Sequence, residues 1–234
     1  MSKQACKLIL ALDLPDDKKA IEALVKLQGS LEWVKIGLQM YLKYGADFVR
    51  KVSDLGFKIF LDLKLYDIPN TVASAIKSVG ELPIEMLTIH SLGGSEMMQR
   101  AVESASEINK DLTIIAVTVL TSFNSEQLEQ MGINGDIEAQ VALLAKLAVN
   151  NKVKAIVCSP KEISPLRKVL PSDVLLITPG IRPLGSDSND QKRIMTPIEA
   201  KRAGANFIVV GRPILAASDM AQAARDIIKE LENE

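Results

Sequence analysis

The chain has 234 residues, 47% of them hydrophobic, enough apolar content for one large core or two small ones. Lys and Arg total 28 against 29 Asp and Glu, and the resulting net charge of -1 argues against a nucleic-acid wrapper or a membrane-surface binder, while leaving room for a local basic pocket. No apolar run approaches the length of a membrane span.

The first predicted element is "KLILALDL" (7–14). With the residues before it, this run resembles a secretion signal at a glance. It is short, however, it meets Asp13, and no small-residue cleavage site follows, so it reads as a strand. "KKAIEALVKLQ" follows with helical spacing. The same alternation then recurs. The further apolar runs are "EWVKIG" (32–37), "KIFLDLKL" (58–65), "MLTIHS" (86–91), "TIIAVTVL" (113–120), "AIVCS" (155–159), "LLITPG" (175–180) and "FIVVGR" (207–212). Helical stretches such as "DIEAQVALLAKLAV" separate them. Cys6 and Cys158 lie far apart and belong to no CxxC pair, and a single His leaves no zinc-type cluster. Free thiols in a reducing cytoplasm are expected.

Continuous apolar strands alternating with helices imply parallel strands covered on both faces. Eight strand–helix units in one chain of this length predict an α/β fold, a single (β/α)8 TIM barrel spanning residues 1–234. A doubly wound open sheet is the competitor, because periodicity does not show closure. In a barrel, chemistry gathers at the C-terminal ends of the strands. The polar residues at those ends are Asp13, Lys35, Asp62, Lys64, His90, Thr121, Ser122, Arg182 and Arg212, with Pro179 and Gly211 beside them.

The third run is the unusual one. Alternation puts Leu61, Leu63 and Leu65 on the helix side and Asp62, Lys64 and Tyr66 on the barrel side. A buried ion pair gains little over apolar residues of equal volume, so charges here point to a task. Asp67 follows the strand and stands where a helix N-cap would, ahead of "IPNTVASAIKSV". In "VVGRPI", Gly211 lets the backbone approach an anion, Arg212 offers a bidentate fork, and a helix begins near Pro213. The polar stretch 181–195 reads as a surface loop or as a lid in which Arg182 and Gln191 clamp a phosphate. His90 reads as a hydrogen-bonded rim residue in preference to a general base.

"DLKLYDIPNT" (62–71) resembles the signature of the orotidine 5'-phosphate decarboxylase family, Asp-x-Lys-x-x-Asp-Ile-x-x-Thr. The resemblance runs through nearly the whole chain: Asp13 in "LALDL", Lys35 in "VKIG", "VTVLTS" (117–122), "PGIRP" (179–183), Gln191 and "VVGRPI" (209–214). Tyr66 departs from it, standing where many members carry His. The resemblance implies conversion of orotidine 5'-monophosphate to uridine 5'-monophosphate and CO2, in de novo pyrimidine synthesis, without metal or organic cofactor. Lys64 would stabilise the carbanion and donate the proton. Asp62 would sit near the substrate carboxylate, and Asp67 would reach the same lysine from the partner subunit of a homodimer. Asp13 and Lys35 would meet the ribose hydroxyls, and Thr121 and Ser122 the pyrimidine. Ile68, Thr71 and Pro179 would complete the substrate contacts, with Arg182, Gln191, Gly211 and Arg212 around the phosphate. A stand-alone, bacterial-type cytoplasmic enzyme is expected.

Two rivals remain at this level. Magnesium-dependent sugar-phosphate decarboxylases and aldolases of the same suprafamily also carry Asp-x-Lys-x-x-Asp. They place an acidic ligand near the end of the second strand, where this chain has Lys35. The other rival is a barrel that only binds nucleotides.

Overall fold

Each of the eight apolar runs forms a strand in the structure, a computed structural model that describes residues 5–133, 135–183 and 195–232. The strands are β1 (Lys7–Ala11), β2 (Trp33–Gly37), β3 (Lys58–Leu65), β4 (Met86–His90), β5 (Thr113–Val117), β6 (Ala155–Val157), β7 (Leu175–Pro179) and β8 (Phe207–Val210). Each pairs in parallel with the next, and β8 pairs with β1, so the sheet closes. Closure leaves no strand edge to protect and rules out the open sheet.

Helices fill the connections: α1 (Asp17–Leu27), α2 (Leu38–Asp54), α3 (Pro69–Gly80), α4 (Gly94–Ile108), α5 (Ser125–Gln130), α6 (Ile137–Asn150), α7 (Ile163–Val169), α8 (Pro197–Ala203), α9 (Arg212–Leu215) and α10 (Met220–Glu232). Their starts are written locally. The Asp16 carboxylate accepts from the Lys19 amide, Asp136 accepts from the Glu138 and Ala139 amides, and Thr196 with Glu199 forms a capping box. Among the described residues, no helix is long and apolar enough to cross a membrane.

The strands read as unbroken apolar runs because both their faces are buried. One face joins the large core beneath the helices, with Leu10, Ile36, Leu61, Leu87, Ile156 and Ile208. The other fills the barrel with Ile9, Ala11, Trp33, Phe60, Met86, Ile115, Ala155, Ile177, Phe207 and Val209. This plug is the floor on which the polar ends of the strands stand. Cys6 and Cys158 are both buried and free, and burial pushes both thiols above their usual range.

Several strands end before the apolar run does. β1 stops at Ala11, so Asp13 lies in the loop, and β5 and β6 stop at Val117 and Val157. β3 departs from simple alternation. Leu61 pairs with Leu87 and Leu65 with Ile89, so residues 62–64 stand opposite Thr88 alone. Such a bulge re-aims side chains. Lys64 adopts φ 50°, in the left-handed region. Leu61, Leu63 and Leu65 pack toward the helices as expected. Tyr66 does not point into the barrel: it lies past the end of β3 and is 61% exposed.

The 181–195 segment leaves and returns at one place. Ile181 bridges to Met195, and the Arg182 amide donates to the Met195 carbonyl at 3.0 Å. Residues 184–194, and with them Gln191, lie outside the described residues.

Candidate active site

The site is built by the stagger of β1, β2 and β3. Lys35 pairs with Ala11 on one side and Phe60 on the other, and Gly37, one inward position higher, pairs with Asp62. Lys35 therefore starts a level below the carboxylates and reaches up between them. Its Nζ lies 3.5 Å from Asp13 Oδ1 and 3.5 Å from Asp62 Oδ2. Lys64 Nζ donates to Asp62 Oδ1 at 2.8 Å. The result is an alternating series, Asp13–Lys35–Asp62–Lys64, from β2, β3 and the loop that follows β1.

Two residues that the sequence reading passed over make this series possible. A Cβ on Gly37 would stand 3.0 Å from Lys35 Nζ and 3.3 Å from Asp13 Oδ1, so only glycine leaves the ammonium its full space. Thr88 is fully buried, and its Oγ1 donates to Asp62 Oδ1 at 3.0 Å while accepting from the Lys64 amide at 2.8 Å. The available signals were a glycine two residues after a strand lysine and one hydroxyl in "MLTIH". Neither means much without its neighbours across the sheet.

Burial alone pushes the Asp62 carboxyl up. The charges of Lys35 and Lys64, and hydrogen bonds from Lys64 and Thr88, outweigh it and hold the group below its ordinary value. Asp62 is thus a buried, ionised carboxylate. His90 is also pushed below its ordinary value, by burial first and then by the Lys64 charge, which favours the neutral ring. His90 Nδ1 accepts from the Leu92 amide at 3.3 Å, which leaves the neutral ring's proton on Nε2. The ring lies 5.8 Å from that of Tyr66.

A cavity of about 200 Å³ opens above the barrel plug, lined by Lys35, Asp62, Lys64, Thr121 and Pro179 together with Phe60, Val117, Val157, Ile177 and Val209. Charges therefore occupy one wall and apolar side chains most of the rest. Such surroundings strengthen every electrostatic contact inside. The other predicted residues among those described do not line this cavity. Ser122 and Arg212 are exposed, and Gly211 is half-buried, where a Cβ would meet the Ala11 carbonyl and Cβ at 3.3 Å. Close packing against β1 thus already requires a small residue at 211. Arg182 is buried and donates to the Ile181 carbonyl at 2.9 Å.

Asp67, Ile68 and Thr71 are exposed on the rim. Asp67 does not cap α3: the cap position is Ile68, without a side-chain bond, and Asp67 Oδ1 accepts from the Ile68 amide at 2.7 Å. Among the described residues, no group of three or more His, Cys, Asp or Glu gathers as a metal site would require.

A protein-family model described as "Orotidine 5'-phosphate decarboxylase / HUMPS family" matches residues 6–227. The chain belongs to that family. It is 52% identical over 229 residues to the orotidine 5'-phosphate decarboxylase of Opitutus terrae, covering 98% of this chain and 100% of the relative. The protein of that name from Actinobacillus succinogenes is 43% identical over 228 residues, covering 97% and 98%. Among solved structures, the crystal structure of orotidine 5'-phosphate decarboxylase from Lactobacillus acidophilus matches with a TM-score of 0.87 and 36% identity, covering 98% of this chain and all of that one. In this chain the end of β2 carries the Lys35 ammonium between two carboxylates.

Proposed function

We propose that the chain is a carboxy-lyase that converts orotidine 5'-monophosphate to uridine 5'-monophosphate and CO2, using no metal and no organic cofactor. The observation that carries this reading is the Asp13–Lys35–Asp62–Lys64 series, set against an apolar cavity of about 200 Å³. Breaking the C6–carboxylate bond leaves its electron pair on C6, where the pyrimidine offers no electron sink. A pre-placed ammonium is the group that meets this need. Lys64 stabilises the developing charge and then gives its proton to C6. Asp62 holds Lys64 and stands near the departing carboxylate. Lys35 and Asp13 meet the ribose, and Thr121, Ser122 and Pro179 border the base. Arg212, Gly211, Arg182 and Gln191 hold the phosphate, the last two from a lid at 181–195 that belongs to one catalytic domain. Binding energy from that remote phosphate supports the chemical step.

The same reading makes the enzyme a homodimer of the cytoplasm, acting in pyrimidine synthesis. Asp67, Ile68 and Thr71 are exposed in this chain and contribute nothing to its own cavity lining. Ile68, 67% exposed beside Asp67, suits a surface that another copy covers.

Purified protein should consume orotidine 5'-monophosphate, seen as loss of ultraviolet absorbance, at the same rate with and without EDTA. No turnover would leave a nucleotide-binding barrel, and inactivation by EDTA would move the chain to the magnesium branch. The shared site has its own test. Lys64→Ala and Asp67→Ala homodimers should each be inactive. Unfolding and reassembling equal amounts makes about half the dimers mixed, each with one intact site, so activity should return to roughly a quarter of wild type. A flat trace after verified subunit exchange would return Asp67 to its own chain.

A further inference from the structure

The bulge in β3 breaks the ladder at the most consequential place in the chain. Residues 62–64 occupy the stretch opposite Thr88 alone, and Lys64 is held at φ 50°, a conformation that a residue with a Cβ adopts at a cost. Something must over-determine it. The Lys64 amide, displaced from the regular β3–β4 pairing, finds the Thr88 hydroxyl oxygen at 2.8 Å. The same hydroxyl gives its proton to Asp62 Oδ1 at 3.0 Å, the oxygen that also receives Lys64 Nζ at 2.8 Å.

We propose that Thr88 is a positioning residue for Lys64: one hydroxyl pins the lysine's backbone and orients the carboxylate that grips its ammonium. Only a group that donates and accepts at once can do both. Valine has the shape of threonine but would leave the Lys64 amide unpaired and Asp62 Oδ1 short of one donor. Thr88 is fully buried, so bulk water does not take its place. Freed from the hydroxyl, Lys64 can leave the left-handed region and carry its Nζ away from the reacting carbon. A misplacement of about 1 Å in such a site costs on the order of 100-fold in rate. Binding of ribose and phosphate involves other strands and should change little.

This rests on the reading of Lys64 as the proton donor, and the test separates the two. Thr88→Val and Thr88→Ser are compared with wild type for kcat and KM on orotidine 5'-monophosphate, and crystal structures of all three are determined. Thr88→Val should lower kcat by roughly 10- to 100-fold with KM little changed. Its Lys64 should leave the left-handed region or lose contact with Asp62. Thr88→Ser, which keeps the hydroxyl, should recover most of the rate and the wild-type geometry. Should Thr88→Val fail to fold, Thr88→Cys, a weak donor of similar size, takes its place with the same expected ordering. Wild-type kcat in Thr88→Val would overturn the proposal, as would a Thr88→Ser as impaired as Thr88→Val. An inactive wild type would overturn the proposed function instead. The crystal structures would then decide the role of Thr88, which fails if Lys64 keeps its place without the hydroxyl.

Discussion

The barrel carries a lysine–carboxylate–lysine triplet at each end, and the two differ in burial. At the N-terminal end, Glu32 lies 3.5 Å from Lys7 and 3.4 Å from Lys58, with the three side chains 61%, 47% and 50% exposed. At the C-terminal end, Asp62 lies 3.5 Å from Lys35 and 2.8 Å from Lys64, with the side chains 12%, 13% and 33% exposed. The charges and nearly the distances match. Both carboxyls are held below their ordinary values, Glu32 chiefly by the Lys7 charge and Asp62 by two lysines acting against burial. The wider opening even lies at the N-terminal end, a groove of about 1140 Å³ against about 200 Å³. What differs is the solvent. Water screens the first triplet to near-irrelevance. The second stands on an apolar plug, where each charge acts at close range on whatever shares the cavity.

The largest expected contrast comes from removing one lysine from each triplet. On the proposed reading of Lys64 as proton donor and charge stabiliser, Lys64→Ala should abolish decarboxylation with the fold intact by circular dichroism, since a positioned general acid contributes about 10²–10⁴ in rate. Lys58→Ala should leave turnover unchanged. More than roughly a tenth of wild-type activity in Lys64→Ala would remove it from the mechanism.

Arg212→Ala asks how far the working end extends beyond the buried triplet. Steady-state kinetics should show a loss of about 1.5–3 kcal/mol in kcat/KM for the phosphorylated substrate and much less for an analogue without phosphate. Equal losses on both would make Arg212 a support of the rim.

Gly37→Ala tests whether space around the triplet matters as much as its charges. The new Cβ would crowd Lys35 Nζ at 3.0 Å, a contact that the flexible lysine relieves by moving off Asp13. A fall of roughly tenfold in kcat/KM is expected, with the melting temperature nearly unchanged. Wild-type kinetics would show that Lys35 needs no exact seat.

Glu32→Gln should be the smallest effect. Stability by chemical denaturation should change by less than about 1 kcal/mol, shrink further in added salt, and leave turnover alone. A larger loss would mean that the N-terminal triplet is less solvated than its exposure implies.

How much of this was legible in advance varies from residue to residue. Eight runs of apolar residues could be read as strands because both faces of a barrel strand are buried, which makes each run continuous. Asp62 and Lys64 were legible for the opposite reason, as charges where the pattern calls for apolar residues. Alternation placed them together, although the left-handed turn at Lys64 and the bulge opposite Thr88 belong to the actual geometry. The same rule misplaced Tyr66, because the strand ends at Leu65. Asp67 looked like a cap because its spacing suits one, yet its carboxylate turns to the Ile68 amide instead.

By itself, then, the sequence determined the strand–helix alternation, the continuous apolar strands and the identity of the charged residues, since each follows from burial and periodicity within a short window. Tertiary structure decided which of them meet. Closure of β8 onto β1 chose the barrel over the open sheet. The stagger of β1 to β3 put Lys35 between Asp13 and Asp62 and made Gly37 a space-keeper. The slip between β3 and β4 brought the hydroxyl of Thr88, 24 residues from Lys64, to the Lys64 amide. Those contacts depend on register between strands far apart in the chain, and register is a property of the closed sheet as a whole.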